Sequence, residues 1–285
     1  MGDVHQPPDQ EDHVKTALIE GGELAYSDEG PSDGEPVLLA HSLFFDHTMF
    51  DALSARLVAA GHRVVAHDHR GQGASSPASR GEVSVDRLTT DAAALIEHLG
   101  IGPVHVAGNS LGGFVALRLA ARRPDLLRSA TAMGSSAEEE HSLAEFEPLV
   151  AQLGELGGAP LVDTLMYIMF GDTSLREAGP AVEHWRSKMT ALGTTIADAA
   201  WQTIHRSSIV DELAGTTVPV LAIAGAEDHA YPPPVSDAHI AAATGGRSVT
   251  LLAAGHSVAL EQPDRVADLL LEHFAAASRA AGRSG

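Results

Sequence analysis

The 285-residue chain contains no cysteine. That excludes a disulfide framework, a thiolate metal centre and a cysteine nucleophile. Lysine is nearly absent: only Lys15 and Lys188 occur, and the formal net charge is −20. Neutralising phosphates requires a basic face, so neither nucleic acid nor an anionic membrane surface is an expected partner. No apolar run reaches the ~18 residues of a membrane span. Histidine is plentiful, with sixteen copies, but no pair has H-E-x-x-H spacing and no metal site is expected. The first residues lack the basic start and apolar stretch of a secretory signal. Residues 1–13 read as a disordered leader and the protein as cytoplasmic, its acidity serving solubility.

A hydrophobic share of 44% supports one large domain with a sizeable core. Short apolar runs at 14–19, 23–26, 36–40, 63–66, 104–107, 126–133, 218–225 and 248–252 read as eight strands. Helical patterns separate them at 48–60, at 84–99 (Ser84 as N-cap, Gly100 as stop), at 111–122 and at 264–274, with Pro232-Pro233-Pro234 opening another. Alternation of this kind predicts a mostly parallel sheet with helices on both faces. The alternation breaks over residues 135–213, where helical stretches at 143–156, 161–170, 179–192 and 196–207 follow one another without a strand. The expected layout is a core of residues 14–134 and 214–276, a helical cap of residues 135–213, and a frayed tail over 277–285. The cap would lie over the carboxyl edge of the sheet, where open α/β sheets bind ligands.

One stretch organises the rest. Residues 104–107 form a buried strand, Gly108-Asn109-Ser110-Leu111-Gly112 fits G-x-S-x-G, and an apolar helix follows. A strand that turns sharply into a helix presents the middle serine at a helix N-terminus beside free backbone N–H groups. Read alone, the motif also fits a glycine-containing turn whose serine merely caps the helix. A serine hydroxyl needs a base, and the base needs a carboxylate to fix its tautomer. Asp228 follows the 218–225 strand and His256 follows the last one, so Ser110, Asp228 and His256 arrive in the order Ser, Asp, His. Glu227 is the neighbouring alternative acid. The loop His41-Ser42-Leu43-Phe44-Phe45 follows the third strand, where a serine hydrolase of this layout takes an oxyanion-hole donor. Leu43 N–H and Leu111 N–H are the two expected donors. Asp68 and Arg70, in the glycine-rich turn after the fourth strand, read as groups that hold that loop.

Together V-L-L-A-H-S-L, D-H-R-G-Q-G-A-S, G-N-S-L-G-G, G-A-E-D and G-H-S resemble the α/β-hydrolase superfamily over about residues 14–274. Within it the chain looks most like the 3-oxoadipate enol-lactonase-like group. Ser42-Leu43 matches that group's pair after the third strand, and Met49-Phe50-Asp51 resembles its Met-Trp-Asp. Asn109 instead looks like the Gly-Asn-Ser elbow of carbon–carbon hydrolases acting on ring-cleavage products.

The resemblance implies an α/β-hydrolase fold and cofactor-independent cleavage of a small, mostly apolar carboxylic ester or lactone through an acyl-enzyme. Ser110 would attack, His256 would act as base and then acid, and Asp228 would orient it. Carbon–carbon bond hydrolysis, or a small-molecule receptor that keeps the hydrolase shell, are the alternatives, and perhydrolysis is a conceivable side activity. Ser42, Phe44, Asn109, Met169, Trp185, Trp201 and Val258 are the expected substrate-binding residues. A lactone bearing a carboxylate would call for a cation, with Arg186, Lys188 and Arg206 as cap candidates. The expected state is a monomer or homodimer.

Overall fold

The computed structural model describes residues 14–282. The expected leader, residues 1–13, lies outside them. In chain order the elements are β1 (Lys15–Ile19), β2 (Gly22–Glu29), β3 (Pro36–Ala40), α1 (Asp51–Ala59), β4 (Arg63–His67), α2 (Val85–Leu99), β5 (Val104–Asn109), α3 (Leu111–Arg122) and β6 (Leu127–Met133). Six helices follow: α4 (Leu143–Leu156), α5 (Val162–Met169), α6 (Asp172–Glu177), α7 (Pro180–Thr190), α8 (Ile196–Ile204) and α9 (Val210–Leu213). The chain then returns to the sheet with β7 (Val220–Gly225), α10 (Ala238–Thr244), β8 (Arg247–Leu251), α11 (Val258–Glu261) and α12 (Pro263–Ala281).

The eight strands form one sheet in the order β1-β2-β4-β3-β5-β6-β7-β8. The β1–β2 and β2–β4 pairs are antiparallel; every pair from β4 to β8 is parallel. Every residue of β5 and β7 is buried. Successive side chains alternate faces, so both faces of the sheet are covered. Helix α1 packs on α12, and α2 on α3. Because the six central strands run the same way, the loops after β3, β5, β7 and β8 leave from one edge.

The turn after β4 is held as its sequence implies. Asp68 accepts from the backbone N–H groups of His47 (2.7 Å) and Ala74 (2.8 Å). The Arg70 guanidinium makes a buried two-point bond to Asp91 at 2.7 and 2.9 Å.

Several elements differ from the sequence reading. Residues 233–237 are turns, and α10 starts at Ala238 behind Asp237. Consecutive prolines offer no N–H, and each disfavours the helical region for the residue before it. The closing helix runs to Ala281 instead of ending at Phe274, since the alanine-rich stretch 275–281 has high helix propensity. Three short helices, α6, α9 and α11, were not expected. No helix among the described residues is long and apolar enough to cross a membrane.

Candidate active site

The elbow begins with glycine. A Cβ at Gly108 would meet the Gly112 carbonyl oxygen at 2.0 Å, and one at Gly112 would meet the Ala40 carbonyl oxygen at 1.9 Å. Only glycine lets β5 turn into α3 against β3. The turn forces Ser110 to φ 50°, ψ −110°, a region that costs a non-glycine residue about 1–3 kcal/mol. Its N–H donates to Met133 O at 2.8 Å, and its carbonyl accepts from Ser135 Oγ at 2.9 Å. The hydroxyl is left pointing away from both strands.

Three loops converge there. Ser110 Oγ lies 2.7 Å from His256 Nε2. His256 Nδ1 lies 3.1 and 3.0 Å from the two Asp228 oxygens. Asp228 Oδ1 also accepts from the N–H groups of Ala230 (2.8 Å) and Tyr231 (2.9 Å), which fixes the carboxylate from its own loop. All three residues are buried. Glu227 turns the other way and accepts from Thr173 N–H and Oγ–H, each at 2.7 Å.

The loop after β3 is a tight turn. Phe45 N–H donates to Ser42 O at 3.2 Å, and Phe44 sits at φ 73°, which is unusual for a bulky residue. Two histidines hold this turn, a role not expected from sequence. His69 N–H donates to His41 Nε2 at 2.9 Å. His41 must therefore carry its proton on Nδ1, which donates to Ser42 O at 2.8 Å. Burial keeps both rings neutral by pushing their pKa values down. Gly112 N–H donates to His41 O at 3.1 Å and ties the turn to the elbow. Leu111 is the first residue of α3, where an N–H has no acceptor within its helix.

A cavity with about 540 Å³ of empty space, partly open to solvent, adjoins Ser110 and His256. Leu43, Phe44, Met169 and Tyr231 line it, and one face of α4 (Phe146, Leu149, Val150, Leu153) forms a wall. The described lining contains no Asp, Glu, Lys or Arg. The α4 residues were missed, although their helical spacing marks an apolar stripe.

Of the expected substrate-binding residues, Phe44 and Met169 line the cavity and the other five lie elsewhere. Trp185 is buried against Phe45, ring centroids 4.5 Å apart, with Lys188 Nζ above it at 4.8 Å. Trp201 stacks on His205 at 3.9 Å beneath Arg80. Val258 is buried in the first turn of α11. Ser42 is buried behind Leu43, its N–H on Met49 Sδ at 3.3 Å. Asn109 donates to His256 O at 2.9 Å and accepts from Ala259 N–H at 3.3 Å.

The three cations expected to serve a substrate carboxylate are paired as well. Arg186 bonds Asp163 at 2.5 Å and Lys188 bonds Asp46 at 2.5 Å. Arg206 is buried; its Nη1 contacts Glu140 Oε2 (3.0 Å), Tyr231 Oη (3.1 Å) and Thr203 O (3.1 Å), and its guanidinium lies 4.0 Å over the Phe114 ring. The Tyr231 hydroxyl donates to Glu140 at 2.5 Å, and burial raises its pKa.

A parallel sheet with a glycine-flanked elbow and catalytic-type loops at one edge defines a hydrolase architecture. The chain belongs to the Alpha/beta hydrolase family, whose profile matches residues 37–269. It is 29% identical over 88% of its length to 97% of a Mycobacterium tuberculosis protein provisionally named a non-heme bromoperoxidase (BpoC). It is 28% identical over 93% of its length to all of the rhodomycin D methylesterase DauP of a Streptomyces species. The enol-lactonase of Burkholderia xenovorans LB400 shares the fold, with a TM-score of 0.84 and 24% identity over 92% of this chain and 100% of that one. The protein is a hydrolase of this family.

Proposed function

We propose that the protein is a serine esterase or lactonase acting on small, uncharged, mostly apolar substrates through an acyl-enzyme. One observation carries the reading: Ser110 Oγ is 2.7 Å from His256 Nε2, whose other nitrogen is on Asp228. His256 takes the serine proton as Oγ attacks the carbonyl carbon. Leu111 N–H and Leu43 N–H receive the oxyanion. His256 returns the proton to the leaving oxygen, then activates the water that frees the acid. No cofactor enters this chemistry. Residues 135–213 serve as the cap, contributing the α4 wall and Met169.

The lining supports this substrate class. Carboxylate-bearing lactones want a cation, and Arg186, Lys188 and Arg206 are each committed to a carboxylate elsewhere. Neutral esters and lactones fit the apolar wall better. The carbon–carbon alternative rested on Asn109, whose side chain is engaged with the His256 loop.

The test is a panel of p-nitrophenyl esters and neutral lactones on wild type and Ser110→Ala, with a fluorophosphonate to label the nucleophile. The expected result is labelling at Ser110 and a loss of kcat of roughly 10⁴–10⁶-fold in the variant. Turnover that survives Ser110→Ala overturns the mechanism. Tight ligand binding without turnover, unchanged in Ser110→Ala, supports the receptor reading instead.

A further inference from the structure

A second carboxylate stands behind the base. Glu261 ends α11, five residues after His256. Its Oε1 accepts from Gly255 N–H at 2.9 Å. Its Oε2 accepts from Gly171 N–H at 2.9 Å and from Ser174 Oγ–H at 2.6 Å. Gly255 immediately precedes His256. Gly171 and Ser174 belong to the corner between α5 and α6, which also carries Met169 of the cavity wall.

The same corner is bonded to both loops of the site. Ser257 N–H donates to Met169 O at 3.1 Å. Glu227, next to Asp228, accepts from Thr173 twice, at 2.7 Å each. The backbones are in direct contact: a Cβ at Gly255 would meet Gly171 N at 2.1 Å, and one at Gly171 would meet Gly255 N at 2.8 Å. Among the described residues, Glu261 is the one side chain that bonds the His256 loop and this corner with a single carboxylate.

We propose that Glu261 is a positioning residue: it clamps the His256 loop to the 169–174 corner, so that the imidazole is held between Ser110 and Asp228 only while that wall is docked. The proposal rests on the serine-hydrolase reading above. Its logic is donor counting. Glu261 receives two backbone N–H groups and a hydroxyl. A backbone N–H can only donate, so an amide leaves one of the two N–H groups without an acceptor, and a protonated carboxyl meets all three only by turning its O–H onto Ser174 Oγ and taking Gly171 N–H on a poorer, hydroxyl acceptor. Burial pushes the Glu261 carboxyl up, opposed by these donors, and the nearby Asp228 charge adds to the rise. The charged and titratable groups around the clamp include Asp228, Glu227 and His229 on the β7 loop (His229 is 3.3 Å from Asp172), His256 on its own loop, and Asp172, Arg176 and Glu177 on α6. As pH falls, uptake of a proton by Glu261 weakens the clamp.

The test uses the full chain with p-nitrophenyl butyrate and a fluorophosphonate. Glu261→Gln is expected to lower kcat about 10–100-fold with little change in KM, and to slow Ser110 labelling by the same factor. Its acid limb of kcat/KM should keep a slope of one, where the wild-type limb steepens towards two at its low-pH end. Glu261→Asp, which keeps the charge, should recover part of the rate and the steeper limb. Gly171→Ala leaves every titratable group in place but puts a methyl into the contact, so it should lower kcat and, with the clamp already broken, lose the steeper part of the acid limb as Glu261→Gln does.

Wild-type kcat and labelling rate in Glu261→Gln, with only a lower melting temperature, overturn the proposal. An acid limb unchanged by Glu261→Gln does so as well. If Glu261→Gln does not fold, Gly171→Ala decides, and wild-type labelling in that variant overturns the clamp. These failures differ from failure of the mechanism, in which the wild-type protein itself does not label at Ser110.

Discussion

Asn109 and His256 are joined across 147 residues of sequence: the Asn109 amide donates to the His256 carbonyl oxygen at 2.9 Å. Asn109, the residue before Ser110, therefore grips the backbone of His256. Its Oδ1 also takes the Ala259 N–H at the start of α11, so one carboxamide spans the elbow and the far end of the His256 loop.

Asn109→Ala should lower kcat by about 10–100-fold through misplacement of the base and cost about 1–3 kcal/mol of stability from two orphaned buried groups. Asn109→Asp should do worse in kcat, because a carboxylate oxygen would then face the His256 carbonyl. Steady-state kinetics on p-nitrophenyl butyrate and urea unfolding check both. A change in KM alone would mark Asn109 as a substrate contact and sink this account.

This bond also shows what could be read from the chain and what could not. Ser110, Asp228 and His256 were legible because each follows an apolar strand, and parallel strands must deliver their loops to one edge. The role of Asn109 was not, since its acceptor is a main-chain atom on a distant loop. Trp185 and Trp201 were misplaced for a related reason. Helical spacing marks which residues share a face, but not whether that face meets the cavity, the core or solvent. The α4 stripe from Phe146 to Leu153 has the same kind of spacing and does face the cavity. Arg206 was legible as a cation in the cap, but its committed partner Glu140 stands 66 residues earlier.

The Arg206–Glu140 pair is almost fully buried, with each side chain 1% exposed. Removing one partner strands a charge. Glu140→Gln and Arg206→Met should each destabilise by roughly 3–5 kcal/mol. The double variant should lose clearly less than the combined losses, because neither charge remains. Urea unfolding of the four proteins measures the coupling. Strict additivity would show that the two side chains stabilise the fold independently.

Stability should also fall as pH drops from neutral towards 4, before most carboxylates titrate. His67 is buried, its Nδ1–H donates to Leu39 O at 3.1 Å, and burial lowers its pKa from 6.5 to about 4. His41 and His69 beside it are lowered too, mainly by burial. Between those values the unfolded chain binds more protons than the folded one, so folding is favoured above pH 6.5 and weakens as pH falls. A depression of this size at His67 is worth about 3 kcal/mol. His47 has the opposite sign: its pKa is raised beside Asp68, so its share is complete below pH 6.5 and is lost as pH rises through the folded value. Urea midpoints from pH 7.5 to 4.5 should therefore decline through the acid range, and His67→Leu should flatten the decline. A flat profile in the wild-type protein would remove the neutral-histidine account of the turn that carries Leu43.

The last prediction concerns charge in the substrate. The cavity presents Leu43, Phe44, Met169 and the α4 stripe, and its described lining includes no cationic side chain. A substrate carboxylate placed there would lose hydration without gaining a partner. The hydroxyl of Tyr231, one of the polar groups of the lining, is already donated to Glu140. Mono-p-nitrophenyl succinate should therefore show kcat/KM at least about tenfold below that of p-nitrophenyl butyrate, a ratio equivalent to about 1.4 kcal/mol. The deficit should lie chiefly in KM, since the reacting ester is the same and only the acyl terminus differs. Leu153→Arg places a cation on the wall and should narrow the gap. A wild-type preference for the succinate would instead show that one of the paired cap cations, Arg186, Lys188 or Arg206, leaves its carboxylate to meet the substrate.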